Sequence, residues 1–132
     1  MILVDSSVWI DYFNGEITHQ TAILDRLLGA QPLFVGDLIL AEVLQGFDAD
    51  KDFDRARKLM QSFDLIELGG RQVAVQAARN FRTLRSKGVT VRKTIDVLIA
   101  TKCLMAGIEL LHDDRDFDPF EKHLGLRVVR QK

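Results

Sequence analysis

Short apolar runs alternate along this chain with longer stretches in which apolar residues recur every three or four positions, a pattern of buried strands between amphipathic helices. Ile2 to Val4 reads as the first strand. Ser6 or Ser7 can then cap a helix through Val8-Trp9-Ile10-Asp11-Tyr12-Phe13, which Asn14-Gly15 stops. A second helix is predicted from Thr18 to Leu28, with Ile23, Leu24, Leu27 and Leu28 on one face and Gly29 at its end. Leu33-Phe34-Val35 is the second strand, and Asp37 stands where a cap is wanted for the helix through Glu42, ended by Gly46. Phe53, Ala56, Leu59, Met60 and Phe63 again have helical spacing. Leu65-Ile66 with Leu68 makes a third short strand, closed by Gly69-Gly70.

A long helix is predicted from Arg71 to Ser86, broken at Gly88. Thr94 can cap the helix of Asp96, which runs to Gly107, and Ile108 to Leu111 is the next strand. Asp118-Pro119 opens a helical turn, and Leu126-Arg127-Val128-Val129 is the last strand. Strands that are continuously apolar belong in a parallel sheet covered on both faces. The expected fold class is therefore α/β: one domain over residues 1–132, with a central, mainly parallel sheet flanked by helices and no internal repeat or linker.

Three carboxylates interrupt this pattern. Asp5 ends the run Met-Ile-Leu-Val, Glu42 interrupts Leu38-Ile39-Leu40-Ala41-Glu42-Val43-Leu44, and Asp96 interrupts Ile95-Asp96-Val97-Leu98-Ile99-Ala100. Burying an ionised carboxylate costs several kcal/mol unless a charge or a hydrogen-bond donor answers it, and no Lys or Arg lies within either helical run. A further acidic group, Asp113-Asp114-Arg115-Asp116, follows the apolar stretch ending at His112. In an open α/β sheet, ligands bind beyond the carboxyl ends of the strands. Asp5 and the Asp113 to Asp116 group follow strands directly, Glu42 lies one to two turns into its helix and Asp96 less than one turn past a helix start, so all are expected to meet at that edge. Two carboxylates about 5 Å apart repel by roughly 3 kcal/mol at an effective dielectric of 20. The economical partner is a hard cation, Mg²⁺ or Mn²⁺, which carboxylates and water suit. Asp5 and Asp96 have the fewest other partners in their surroundings and are the best direct ligands; Glu42 and Asp114 can complete the shell, orient water or hold a second ion.

Composition narrows the rest. The 132 residues, 47% hydrophobic and 28% charged, fit one globular domain that buries about two thirds of its unfolded surface. No apolar run approaches the roughly 20 residues of a membrane span. The N-terminus has neither the basic region nor the cleavage site of a signal peptide, so a cytoplasmic location is expected. The single Cys103 excludes an intrachain disulfide and lacks neighbours at zinc-ligand spacing; it reads as a small buried side chain. A net charge of -1 conceals a polar distribution: Arg71, Arg79, Arg82, Arg85, Lys87, Arg92 and Lys93 fall in one segment without an acid. Such a segment can neutralise phosphates, or simply be the solvent face of a helix whose apolar stripe is Val73, Ala77, Phe81 and Leu84.

Four segments, taken in order and spacing, carry a family resemblance: Val4-Asp5-Ser6-Ser7-Val8-Trp9-Ile10, Leu40-Ala41-Glu42-Val43-Leu44-Gln45-Gly46, Asp96-Val97-Leu98-Ile99-Ala100 and Leu110-Leu111-His112-Asp113-Asp114-Arg115-Asp116-Phe117. Over essentially its whole length the chain resembles the PIN-domain ribonucleases, specifically the VapC-like toxins of type II toxin-antitoxin systems. The resemblance implies a PIN-like three-layer fold and a Mg²⁺- or Mn²⁺-dependent endoribonuclease that cuts an accessible tRNA or ribosomal RNA loop. It assigns Asp5, Glu42, Asp96 and Asp114 to the catalytic metal site, with Asp116 an outer member, Asp113 a variable position, and Ser6 and Ser7 in support. Arg79, Arg82, Arg85 and Lys87 would grip the RNA backbone. A VapB-like antitoxin and a homodimer are the implied partners; Trp9, Tyr12, Phe13 and Phe47 are more aromatic surface than one small core needs, although core burial is the expected fate of most of them. The chain departs from the family pattern at Ser6, which keeps the hydroxyl of the usual Thr, and at His112, which replaces a common Thr or Ser and reads as structural. A haloacid-dehalogenase-like phosphatase needs a second Asp where Ser7 stands, and a receiver-type phosphoacceptor domain needs an acceptor Asp at a middle strand end, where Asp64 is misplaced.

Overall fold

Ile2–Val4 (β1) is wholly buried because it lies inside a sheet in which every paired neighbour runs parallel to it. In the computed structural model, which describes residues 1–130, β1 pairs on one side with β2 (Leu33–Gly36) and on the other with β4 (Glu109–Leu111). β3 (Asp64–Ile66) adds to the far side of β2, giving the order β3-β2-β1-β4. In register, Leu3 stands opposite Phe34 and Leu110. Seven helices flank the sheet among the described residues: α1 (Ser6–Phe13), α2 (His19–Leu27), α3 (Asp37–Leu44), α4 (Asp50–Gln61), α5 (Arg71–Ser86), α6 (Thr94–Ala106) and α7 (Asp118–Leu124). A 3-10 turn over Arg115–Phe117 joins β4 to α7. The expected α/β class and parallel sheet are observed, and no helix is long and apolar enough to cross a membrane.

The chain winds outward from β1 to β3, then crosses back to place β4 against the opposite side of β1. The strand order therefore reverses between β1 and β4, and a crevice opens at their carboxyl ends. α5 packs against α6, and α6 against β4 and the 3-10 turn, so the start of α6 is brought to this crevice. Gly107 ends α6 in the left-handed conformation, φ 66°, which glycine adopts without a Cβ penalty, and turns the chain straight into β4. At Gly36 the reason for glycine is space, since a Cβ would collide with the Leu68 side chain.

The core is led by Trp9, Phe117 and Phe120, all fully buried. Trp9 packs on Tyr12, Phe13 and Phe63, and Phe13 meets Phe47, so these aromatics form one cluster of which Tyr12, Phe13 and Phe47 stay half-buried. Cys103 is buried as expected, and burial pushes its thiol up to about 12.

The starts of α1 and α3 differ from expectation for a common reason. β1 and β2 run into their helices without a linker, which moves each cap one or two residues earlier. Asp5, rather than Ser6 or Ser7, caps α1. Gly36 occupies the cap position of α3, and Asp37 is already helical; its Oδ1 accepts from the amides of Leu38 (2.8 Å) and Leu68 (2.9 Å), tying α3 to the segment after β3. Lys93 rather than Thr94 is the cap residue of α6. The last predicted strand reduces to a bridge between Val128 and Leu110, held by Leu110 N–H to Arg127 O and Val129 N–H to Leu110 O, each 2.9 Å. Thr18 does cap α2, as half of a capping box with Thr21 in which each side chain accepts from the other's amide.

Asp37→Ala removes the acceptor of two amides at once, and is expected to lower the unfolding free energy by about 1–3 kcal/mol. Asp37→Asn, which keeps an oxygen at that place, is expected to cost less; urea denaturation of the three proteins measures the difference.

Candidate metal centre

Asp5 links β1 to α1. Its amide donates to Leu111 O at 2.9 Å, extending the β1–β4 ladder, and its Oδ2 accepts from the amide (3.1 Å) and hydroxyl (2.6 Å) of Ser7. The Ser7 hydroxyl in turn accepts from the Asp113 amide at 3.1 Å, which ties the loop after β4 to the first helix. With Oδ2 engaged in the cap, Asp5 Oδ1 is buried without a partner. Only 2% of Asp5 is exposed, and burial holds its carboxyl above the usual range against the Ser7 hydrogen bonds that favour the anion.

Glu42 reaches the same edge from α3. Ser6 Oγ donates to Glu42 Oε1 at 3.1 Å, so the residue after the first acid positions the second. Glu42 is half-buried and its pKa is raised by burial, with the charges of Asp5 and Asp114 acting in the same sense. Asp96 is the third residue of α6, a place where the partial positive charge of the helix N-terminus favours an anion. It is 3% exposed, and burial, together with the charges of Asp5, Asp114 and Glu42, pushes it up to about 7 despite the opposing Lys93 ammonium.

Asp114 caps the 3-10 turn, its Oδ1 accepting from the Asp116 amide at 2.9 Å. Its own amide donates to His112 Nδ1 at 3.2 Å, which puts the ring proton on Nε2 and makes His112 a brace for the loop. Burial lowers the His112 pKa, in keeping with a neutral ring packed 5.0 Å from Phe117. One carboxylate oxygen each from Asp96, Asp114 and Asp116 lies within 4.8 Å of the other two. Asp5 and Glu42 stand outside this closest group but feel its charge. The Asp113 side chain is exposed.

Two cations that the sequence pattern places only in the general basic segment face these acids. Lys93 Nζ is 3.7 Å from Asp96 and 3.5 Å from Asp114, and Arg92 meets Asp116 at 3.3 Å. The three-residue spacing of Lys93 and Asp96 at a helix start is the signal that could have found the first of them. Arg79, Arg82, Arg85 and Lys87 are exposed on α5 and its end. Arg82 and Arg85 border a shallow groove floored by Ala77, Phe81 and Val97 and reaching Thr94, two residues from Asp96; Arg85 lies over the Phe81 ring at 5.6 Å. The donor set of the centre is all oxygen, and Asp5 Oδ1 and Asp96 Oδ2 are buried without hydrogen-bond partners. Such oxygens fit a hard divalent ion, which would satisfy them and offset the repulsion.

A parallel sheet with carboxylates from the β1 exit, α3, α6 and the β4 exit gathered at its switch point defines an α/β domain with an acidic centre that could hold a metal ion. The PIN domain family model matches residues 2–122, and the chain belongs to that family. A VapC ribonuclease of Mycobacterium bovis and ribonuclease VapC11 of Mycobacterium tuberculosis are each 29% identical to it over 131 residues, 98% of this chain and 98% of theirs. Among solved structures, VapBC2 from Rickettsia felis, bound to a DNA fragment from their promoter, matches with a TM-score of 0.74 at 17% identity over 100% of both chains. VapC20 of Mycobacterium tuberculosis, a Sarcin-Ricin loop cleaving toxin, matches with a TM-score of 0.71 at 18% identity, covering 99% of this chain and 100% of that one. The resemblance carried by the four segments holds, and the phosphatase and receiver alternatives fall away.

The raised pKa of Asp96 has a defined consequence in metal-free protein. The folded state keeps a proton that the unfolded chain releases near pH 4, so this contribution to stability is fully present below that range and is lost as pH rises to about 7. Asp96→Asn is expected to flatten the profile and to exceed wild type in stability at pH 8 by on the order of 1–3 kcal/mol. Urea titrations in EDTA at pH 5 and pH 8 check this, and parallel behaviour of the two proteins would contradict it.

Proposed function

We propose that this chain is a Mg²⁺- or Mn²⁺-dependent endoribonuclease and the toxin of a toxin-antitoxin pair. The carrying observation is the convergence of Asp5, Glu42, Asp96 and Asp114 at the switch point of a PIN-family sheet, with two buried carboxylate oxygens left without partners. Asp96 and Asp114, with the free oxygen of Asp5, would hold the ion, and Asp116 would contribute from the outer side. When bound, the ion supplies a Lewis acid for the phosphate, a more acidic water and a counter-charge for the leaving oxygen. Glu42, half-exposed and held by the Ser6 hydroxyl, would orient the attacking water and take its proton. Ser7 keeps the Asp5 carboxylate and the Asp113 amide in fixed relation, so the two strand ends hold their spacing.

RNA is the substrate by likeness to the VapC ribonucleases, and an accessible tRNA or ribosomal RNA loop is the target class; VapC20 is itself a Sarcin-Ricin loop cleaving toxin. Arg79, Arg82, Arg85 and Lys87 would track the backbone, with the Phe81 groove beside them offering a base a stacking face. A VapB-like antitoxin is the expected partner, since the solved relatives include VapBC complexes. The same acids that draw Lys93 and Arg92 inward would accept an arginine from it. We further expect a homodimer acting in the cytoplasm, with the half-buried Tyr12, Phe13 and Phe47 as available contact surface.

Asp5→Asn and Asp96→Asn keep side-chain size and remove ligand charge. Each is expected to lower RNA cleavage in Mg²⁺ by at least roughly a hundredfold while the protein stays folded. Wild-type cleavage by either purified variant, measured beside a matched mock preparation, would sink the assignment.

Arg82→Glu combined with Arg85→Glu changes only exposed positions and should leave the fold intact. RNA affinity is expected to fall, and the slope of log affinity against log salt to flatten by roughly 0.7 for each phosphate no longer neutralised. An unchanged salt series would return both arginines to the solvent face.

A further inference from the structure

Lys93 occupies an unusual place among the acids. Its ammonium bridges two elements, standing 3.7 Å from Asp96 Oδ2 on α6 and 3.5 Å from Asp114 Oδ2 on the loop after β4. Arg92 lies farther out, meeting Asp116 alone with a side chain that is 80% exposed. The Lys93 backbone is set by its cap position at the start of α6, while the side chain is 54% exposed. At 3.7 Å the ammonium offsets the charge of Asp96 without a hydrogen bond, and Oδ2 remains without one. The contact is electrostatic and easily exchanged.

We propose that Lys93 is an internal counter-ion that a divalent cation must displace from Asp96 and Asp114, and that the released ammonium then binds the RNA phosphate at the site. The inference rests on the reading of the acidic cluster as a metal centre. Mg²⁺ binds carboxylate oxygen at about 2.1 Å, so an ion on these oxygens and an ammonium within about 4 Å of the same oxygens would be like charges in near contact. One of them has to leave. Lysine suits the exchange: it is a point charge on a flexible four-carbon stem, without the planar fork that lets arginine clamp a carboxylate through two parallel bonds. Turning about a fixed backbone, it stays at the rim of the crevice, where an incoming phosphate brings the next negative charge. The ammonium thus keeps the carboxylates together in the metal-free protein and serves the substrate in the loaded one.

Isothermal titration with Mn²⁺ alone, on wild type, Lys93→Met and Lys93→Arg, tests the exchange without reference to activity. Lys93→Met is expected to bind Mn²⁺ roughly twofold to fivefold more tightly than wild type, the size of effect that partly exposed ion pairs carry. Lys93→Arg, which keeps the charge, is expected to bind no more tightly than wild type. RNA cleavage at saturating Mn²⁺ then tests the second half: Lys93→Met should turn over more slowly even though its metal site is full. Equal Mn²⁺ affinity in wild type and Lys93→Met, or tighter binding by both variants, overturns the displacement. Undiminished turnover by Lys93→Met overturns the phosphate contact. If neither wild type nor variant binds Mn²⁺, the metal centre itself is wrong and the inference goes with it.

Discussion

Repulsion between carboxylates held at one end of a parallel sheet is the constraint around which this domain is arranged. Asp5, Glu42 and Asp96 come from three separate parts of the chain and Asp114 and Asp116 from the turn after β4; Asp5 and Asp96 are almost fully buried. Charges of like sign a few ångströms apart cost several kcal/mol in such surroundings, more than any single hydrogen bond nearby can return. The protein meets this cost partly by protonation, which the raised position of Asp96 near 7 expresses, and partly with the cations Lys93 and Arg92. A divalent ion would answer more of it than either.

Several residues at this edge serve two ends at once. Asp5 closes a strand ladder, caps a helix with one carboxylate oxygen, and keeps the other oxygen free. Ser7 donates to that carboxylate and accepts from the loop after β4, so the spacing between the two strand ends is maintained by one hydroxyl. Ser6 joins α1 to α3 through its hydroxyl in a similar way. Because β1 and β2 pass into helices without linkers, the residues that hold the fold together at this edge also carry the free carboxylate oxygen. That economy ties the integrity of the centre to the integrity of the β1–β4 pairing.

The basic side of the molecule is built differently. α5 carries its arginines on an exposed face and packs its apolar stripe, Val73, Ala77 and Leu84, against α6 and the core. Those arginines have no structural duty in the closely packed interior. Arg92 and Lys93, just ahead of α6, are where the basic segment touches the acidic centre, so the two charge regions meet at a single helix start.

The continuous apolar runs around Ile2, Leu33 and Leu110 were enough to announce a parallel sheet, and apolar neighbours on every side of Asp5, Glu42 and Asp96 marked these acids as out of place in a core. Both readings rest on local information, since burial follows from hydrophobic pattern and the cost of a buried charge does not depend on the rest of the chain. Strand order, the exact caps and the partners of the acids were beyond it. The bridge at Val128 in place of a full strand depends on how the end of the chain meets the outer edge of β4, and the cap at Asp5 depends on how abruptly β1 becomes α1. Lys93 looked like one more solvated charge until the packing of α5, α6 and the β4 loop brought Asp114 within 3.5 Å of it. Which acids stand out of place among apolar neighbours was written in the sequence; which charges answer one another was decided only by the fold, because an electrostatic pairing is a matter of distance and distance across elements is a tertiary property.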